Sequence, residues 1–233
     1  MSSKSAAFLS VLSASLAVFI ANLDSSIITV ALPELAQAFG ASVSGIAWLS
    51  LSYLLASASL LLVLGRLGDA KGPERVLAWG YGAFGLASVL CAAAPGFGWL
   101  VFFRLLQGGA AAALLATGLA VAARNVPPEM LGRALGAASV FGSLGFAAGP
   151  TLGGFIVEHI GWRWLFAINV PVAAAGIYTV SLLPRRKQEA PARIDVLGAA
   201  LSCCALGCLV YALNCGLGAS VPRSVVFGAW LAA

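Results

Sequence analysis

Charge is what this sequence has least of. Among 233 residues, 13 are Lys or Arg and 8 are Asp or Glu, so charged residues make up only 9%. Soluble chains carry about 25%. Hydrophobic residues reach 61%, against roughly 45–50% in soluble domains. A water-covered globular surface is therefore excluded. Metal and nucleophile chemistry is also poorly supplied. The one histidine, His159, and the five cysteines, Cys91, Cys203, Cys204, Cys208 and Cys215, show no metal-ligand or redox spacing. No His/Asp/Glu set or Ser/His pair stands at catalytic spacing, so an enzyme is disfavoured and no metal or cofactor is expected. The cysteines read as small packing residues within or near helices, and His159 as a solvated loop residue. Alternating polar/apolar strands of about ten residues are absent too, which excludes an outer-membrane barrel.

What the chain does have is long apolar runs. A hydrocarbon core needs about 20 apolar residues per helix. Such runs fall at 8–32, 46–64, 76–94, 97–123, 134–157, 164–183 and 196–213, and another starts at 224 and ends at 233. The first run is longer than a signal peptide's core of about 7–15 residues, so it reads as a retained helix. The fold class is all-α, a polytopic membrane protein. Positive charge gives the orientation. With the N-terminus cytoplasmic, ten basic residues lie inside: Lys4, Arg66, Lys71, Arg75, Arg124, Arg133, Arg185, Arg186, Lys187 and Arg193. Outside lie Arg163 and Arg223, with Arg104 in a span. The net charge of +5 is thus a topology signal, and no nucleic-acid partner is expected.

Ionisable groups inside spans are costly and mark functional candidates. Asp24 lies in the first span, within "NLDSSIITVALP". Ser15, Asn22, Ser26 and Thr29 share one helical face, expected to meet something wet, and Asp24 points to the opposite face. Two readings stand: a titrating carboxylate that handles a proton or cation, or a structural carboxylate satisfied by a neighbouring helix or by water. Arg104 lies in the fourth span with Gln107, Gly108 and Ala111 on its face. It is either a coupling residue or a snorkelling arginine. In the fifth span Gly142, Gly145, Gly149 and Gly153 fall within an arc of about 80°, a ridge for close helix packing. Pro150 removes one backbone N–H and is expected to kink the helix near Phe146. The segment 65–75, "GRLGDAKGPER", concentrates five charges in a cytoplasmic turn. Gly65 is expected to end the second helix, Asp69 to accept from helix N-terminal amides, and Gly72 to turn the chain.

Four segments together resemble one family: "LDSSIITVALP" (23–33), "GRLGDAKGPER" (65–75), "RLLQGGAAA" (104–112) and "GSLGFAAGPTLGG…GWRWLFAINVP" (142–171). They are similar to the motifs of the major facilitator superfamily, most of all its fourteen-helix drug:proton antiporter branch. The segment 193–207, "RIDVLGAALSCCALG", resembles the first of the two helices that this branch adds between its six-helix halves. The resemblance implies a six-helix bundle over 1–183 built as a 3+3 inverted repeat, a cytoplasmic loop over 184–195, and an added helix with the start of another over 196–233. It also implies export of lipophilic or cationic small molecules by proton antiport, with the proton gradient as energy source, in the inner (plasma) membrane. Asp24, Arg104 and Gln107 would then serve proton and substrate coupling. Gly65, Asp69, Gly72 and Arg75 would form the gating turn, and Gly145, Gly149, Pro150, Gly153 and Gly154 the antiporter-helix motif. Ala70, Pro73 and Glu74 depart from the family turn, where basic residues are usual, so the latch is expected to be weaker.

Such a transporter needs two halves around a midplane site. The expected partners are therefore the lipid bilayer, a small-molecule substrate, and a C-terminal half or second half-transporter. A non-transporting remnant is the competing reading. For topology, a cysteine-accessibility scan should label 65–75 and 184–193 only from the cytoplasmic side. Labelling of either segment from outside would overturn the orientation.

Overall fold

The computed structural model describes residues 3–184, together with Gly198, Leu201, Ala205 and Cys208, which are helical. The expected added helix over 196–213 otherwise lies outside the described residues, as does the expected start of the next one. The described chain runs α1 (Ser3–Phe39), α2 (Val43–Ile46), α3 (Trp48–Lys71), α4 (Pro73–Ala92), α5 (Phe97–Asn125), α6 (Pro128–His159), α7 (Trp164–Ala167) and α8 (Asn169–Ser181). No strand occurs among the described residues. Among the described residues, six stretches are long and apolar enough to cross a membrane: α1, α3, α4, α5, α6, and α7 with α8 as one. The fold class is therefore as expected. Helices are forced here, because a segment in hydrocarbon must satisfy its backbone polar groups internally.

Three boundaries differ from expectation. First, α1 continues through Pro33 to Phe39. The ring frees only the Thr29 carbonyl, and Thr29 is exposed. Second, the charged segment 65–75 is not an eleven-residue turn. Helix α3 runs through Gly65 as far as Lys71, and α4 starts at Pro73, so Gly72 alone joins them. Gly72 has φ +94°, a backbone region that side chains disfavour. Pro73 at the first helical position adds its own constraint, since it pushes the preceding residue out of the α region. Third, His159 is the last residue of α6, its ring stacked on Phe155 at 4.5 Å, and is not in a loop.

Two apolar clusters build the interior. One contains Ala17, Ala21, Tyr53, Leu77, Tyr81, Phe84, Ala111, Leu114 and Ala173. The other contains Ile27, Ile28, Leu49, Cys91, Leu100, Leu165 and Phe166. Every helix that feeds both clusters changes allegiance at one level: after Ala21 on α1, after Leu49 on α3, after Phe84 on α4 and after Leu100 on α5. A polar layer occupies that level. At one end of the bundle Ala7, Val126 and Arg133 line a shared crevice, and Arg124 approaches Glu74 at 4.0 Å. At the other end Phe39 meets Phe97 at 6.1 Å and Trp162 at 5.3 Å between ring centres.

The most extensive helix pair is α1 with α6, and the glycine ridge is the reason. A Cβ on Gly145 would lie 2.5 Å from the Phe19 carbonyl oxygen, and one on Gly153 would lie 2.9 Å from that of Ile27. One on Gly149 would overlap the Ser26 hydroxyl. These glycines let two backbones touch, as small residues do in membrane packing. Gly154 is not part of the ridge, for a Cβ there would meet nothing. Helix α6 runs unbroken through Pro150, which is exposed. The polar face of α1 is also reassigned. Asn22 and Ser26 face Gly142 and Gly149 of α6 rather than water. Substituting Gly149→Val should lower the thermal stability of the purified protein, by about 1–3 kcal/mol for overpacking, while Gly154→Ala should leave the melting temperature unchanged.

Candidate functional site

The polar layer is the site. Asp24 of α1, Arg104 and Gln107 of α5 and Asn169 of α8 are 0%, 1%, 0% and 0% exposed. Asp24 Oδ2 accepts from Arg104 Nη1 in an ion pair. Its Oδ1 accepts from Gln107 Nε2 at 2.9 Å and from Asn169 Nδ2 at 2.7 Å. Three donors from two other helices thus hold one carboxylate. Arg104 is held as tightly: its Nε donates to the Leu49 carbonyl at 3.1 Å and its Nη1 to Gln107 Oε1 at 2.8 Å. The guanidinium plane lies over the Tyr53 ring, 4.3 Å from its centre, a cation–π contact that favours arginine over lysine.

Gln107 is saturated. Its Nε2 donates to Asp24 and also to Ser88 Oγ at 2.8 Å, while its Oε1 accepts from Arg104 and from the Cys91 thiol at 3.6 Å. Ser88 Oγ in turn donates a hydrogen bond to the Phe84 carbonyl at 2.8 Å. Tyr53 donates to the Ala21 carbonyl at 3.1 Å, tying α3 to α1 at the same level. The i, i+3 spacing of Arg104 and Gln107 brings them to one face of α5. Gly108 on that face takes α3 in so closely that a Cβ would overlap the Tyr53 carbonyl.

Each sequence-derived candidate can now be placed. Asp24, Arg104 and Gln107 come together in one network, although Asp24 lies 80 and 83 residues from the other two along the chain. Asp24 points into the bundle, away from the Asn22 and Ser26 face, and is satisfied by neighbouring helices rather than by water. Arg104 does not snorkel, because its head is buried at mid-bundle. Gly145, Gly149 and Gly153 lie on the α1–α6 contact, apart from the network. The four residues expected at the gating turn are not drawn into it either. Asp69 and Arg75 are exposed, and Asp69 accepts no hydrogen bond from α4 among the described residues. Lys71 stacks over Trp79, 5.3 Å from its ring centre, rather than pairing with Asp69. The unexpected Glu74 is buried, with Oε2 4.0 Å from Arg124.

Ser88, Asn169 and Tyr53 escaped the sequence reading. Their signal was weak but present: an uncharged polar group deep in an apolar run usually bonds across helices. Ser88 and Asn169 both sit in that position within the third and sixth runs. No ligand geometry for a metal was found among the described residues. Protonating Asp24 would remove the negative partner of a buried guanidinium, which low-dielectric surroundings make energetically large.

A multi-helix membrane bundle with a desolvated ion pair at mid-depth defines a multi-pass membrane protein whose interior charge is not there for solubility. The sequence matches the Major Facilitator Superfamily over residues 14–232, and the chain belongs to that family of transporters. It is 39% identical over 196 residues to a probable actinorhodin transporter of Streptomyces coelicolor, covering 82% of this chain and 34% of that protein. It is 34% identical over 214 residues to the methylenomycin A resistance protein of Bacillus subtilis, covering 91% of this chain and 46% of that one. The chain therefore spans less than half the length of these curated relatives. Among solved structures, the inward-open xylose transporter of E. coli matches with a TM-score of 0.66 at 16% identity, over 92% of this chain and 57% of that one. That likeness concerns the fold.

Proposed function

We propose that this chain forms the first half of a proton-coupled exporter of lipophilic or cationic small molecules, working by antiport. The observation that carries the reading is the burial of Asp24 and Arg104 as a pair, at the level where four spanning segments meet. A buried ion pair is weak evidence for stability, and in a membrane it is by default a functional one. The relatives' names, which speak of transport and of antibiotic resistance, support the substrate class.

In this reading Asp24 takes up and releases the coupled proton. Arg104 compensates its charge when it is ionised, and Gln107 holds both in register. The energy source is the proton gradient, with no cofactor. The protein sits in the inner membrane with its N-terminus cytoplasmic, in line with the basic residues Arg66, Lys71, Arg75, Arg124 and Arg133 at one end. A second half, supplied by the same or another polypeptide, provides the other wall of the substrate cavity. Asp69 and Arg75, exposed at the inner end, are free to meet that half as the gate closes. The α1–α6 glycine contact allows those two helices to move as one body against it.

The test is efflux of a lipophilic cationic dye by the full-length protein in everted membrane vesicles. Asp24→Asn should insert normally and lose acceleration of dye transport by an imposed pH gradient. Arg104→Ala should abolish coupled transport, and Arg104→Lys should recover little of it, because one ammonium cannot serve Asp24, Gln107 and the Leu49 carbonyl in a planar fork. Efflux with unchanged pH dependence in well-expressed Asp24→Asn would remove Asp24 from the mechanism.

A further inference from the structure

One member of the polar layer is left half-used. Asn169 donates to Asp24 through Nδ2, yet its Oδ1 is buried with no hydrogen-bond partner. Buried amide oxygens are rarely left so. Gln107, the other amide on Asp24, is engaged at both ends, with Arg104, Cys91 and Ser88 as further partners. Turning the Gln107 amide over would break those bonds. Turning the Asn169 amide over would break only the bond to Asp24.

A carboxylate can only accept hydrogen bonds, whereas a protonated carboxyl must also donate one. When a proton from solution bonds to Asp24 Oδ1, the new O–H needs an acceptor. Oδ1 already faces two amide donors, Gln107 Nε2 and Asn169 Nδ2. Rotation of the Asn169 amide about Cβ–Cγ, a soft two-fold torsion, places Oδ1 where Nδ2 was and supplies it.

Asn169 is the first residue of α8 and follows Ile168, whose backbone is itself helical and whose N–H reaches the Trp164 carbonyl at 3.1 Å. Pro171 lies in the first turn of α8 and has no N–H to return to the Ala167 carbonyl. The Ala167 carbonyl therefore lacks its usual helical donor. We propose that Asn169 is the positioning residue that reads the protonation state of Asp24, donating to the carboxylate and accepting from the carboxyl. This rests on the proton role of Asp24 given above and goes beyond it. Other titratable or charged groups facing Asp24 are Arg104 from α5, Tyr53 from α3 and Cys91 from α4. The titratable residues of α6 and α8 (Glu129, Arg133, Glu158, His159 and Tyr178) are exposed.

The experiment is infrared difference spectroscopy across a pH titration. It uses the full-length protein in lipid, with asparagine labelled at the side-chain carbonyl carbon. The expected result is two bands that change with one midpoint. A carboxyl band should be absent in Asp24→Asn. An amide carbonyl band should be absent in Asn169→Leu and in Asn169→Ser. In Asn169→Leu the carboxylate loses a charge-assisted donor, so the carboxyl midpoint should move to higher pH by about one unit or more. Asn169→Ser keeps a group that can both donate and accept, and should shift it less. A carboxyl step with no amide change, or an unmoved midpoint in Asn169→Leu, would make Asn169 a structural prop while leaving the proton role of Asp24 intact. No carboxyl step in the unmodified protein would overturn both. If Asn169→Leu does not fold, the amide band of the unmodified protein and of Asn169→Ser decides the question.

Discussion

A carboxylate and a guanidinium placed in the middle of an apolar bundle must each find compensation for the water they have lost, and most of the interior here is arranged around that requirement. Removing one partner from a buried pair leaves an uncompensated charge and costs about 3–5 kcal/mol. The chain meets the requirement by drawing polar groups to one level. Asp24, Arg104, Gln107, Ser88 and Asn169 come from α1, α5, α4 and α8, and α3 contributes the Leu49 carbonyl and the Tyr53 ring. Apolar clusters seal that level on both sides. The layered interior is a consequence of the pair.

Close approach of helices is the second condition. Hydrogen bonds of 2.7–2.9 Å between side chains of four helices need backbones held nearer than large side chains permit. Gly108 brings α3 against α5, Gly176 takes the Tyr81 ring of α4 against α8, and the α6 ridge presses on α1. Tyr81 in turn donates to the Ser13 carbonyl at 2.6 Å, fastening α4 to α1 below the polar layer. Glycine between these helices is chiefly a packing residue, while Gly40, Gly72 and Gly161 hold the positive-φ turns among the described residues.

Much of this was legible in the sequence because hydrocarbon is a demanding solvent. The six spanning segments among the described residues and the two intramembrane charges follow from hydropathy alone. The family could be read from the four motif segments, and the glycine ridge from its helical spacing. What could not be read was which helix lies against which face. The face of α1 bearing Asn22 and Ser26 looked as if it met water because a one-dimensional pattern cannot distinguish solvent from a glycine groove. Asn169 is hard to read because one uncharged amide among apolar residues is a weak signal, and its partner lies 145 positions away. The segment 65–75 was read as a loop from its glycines and charges. Yet Gly65 and Gly68 stay helical, and Gly68 packs where a Cβ would lie 2.8 Å from Thr117.

The claim that the Asp24–Arg104 pair organises the bundle is tested most directly by a double-mutant cycle on thermal stability, with Asp24→Asn, Arg104→Gln and the combination. Each single change strands one buried charge, whereas the double change leaves a neutral, hydrogen-bonding layer. The account predicts that the combination loses much less stability than the two single losses added together, with a coupling of about 1–3 kcal/mol. Additive losses would show that the two side chains do not depend on each other, and would contradict the account.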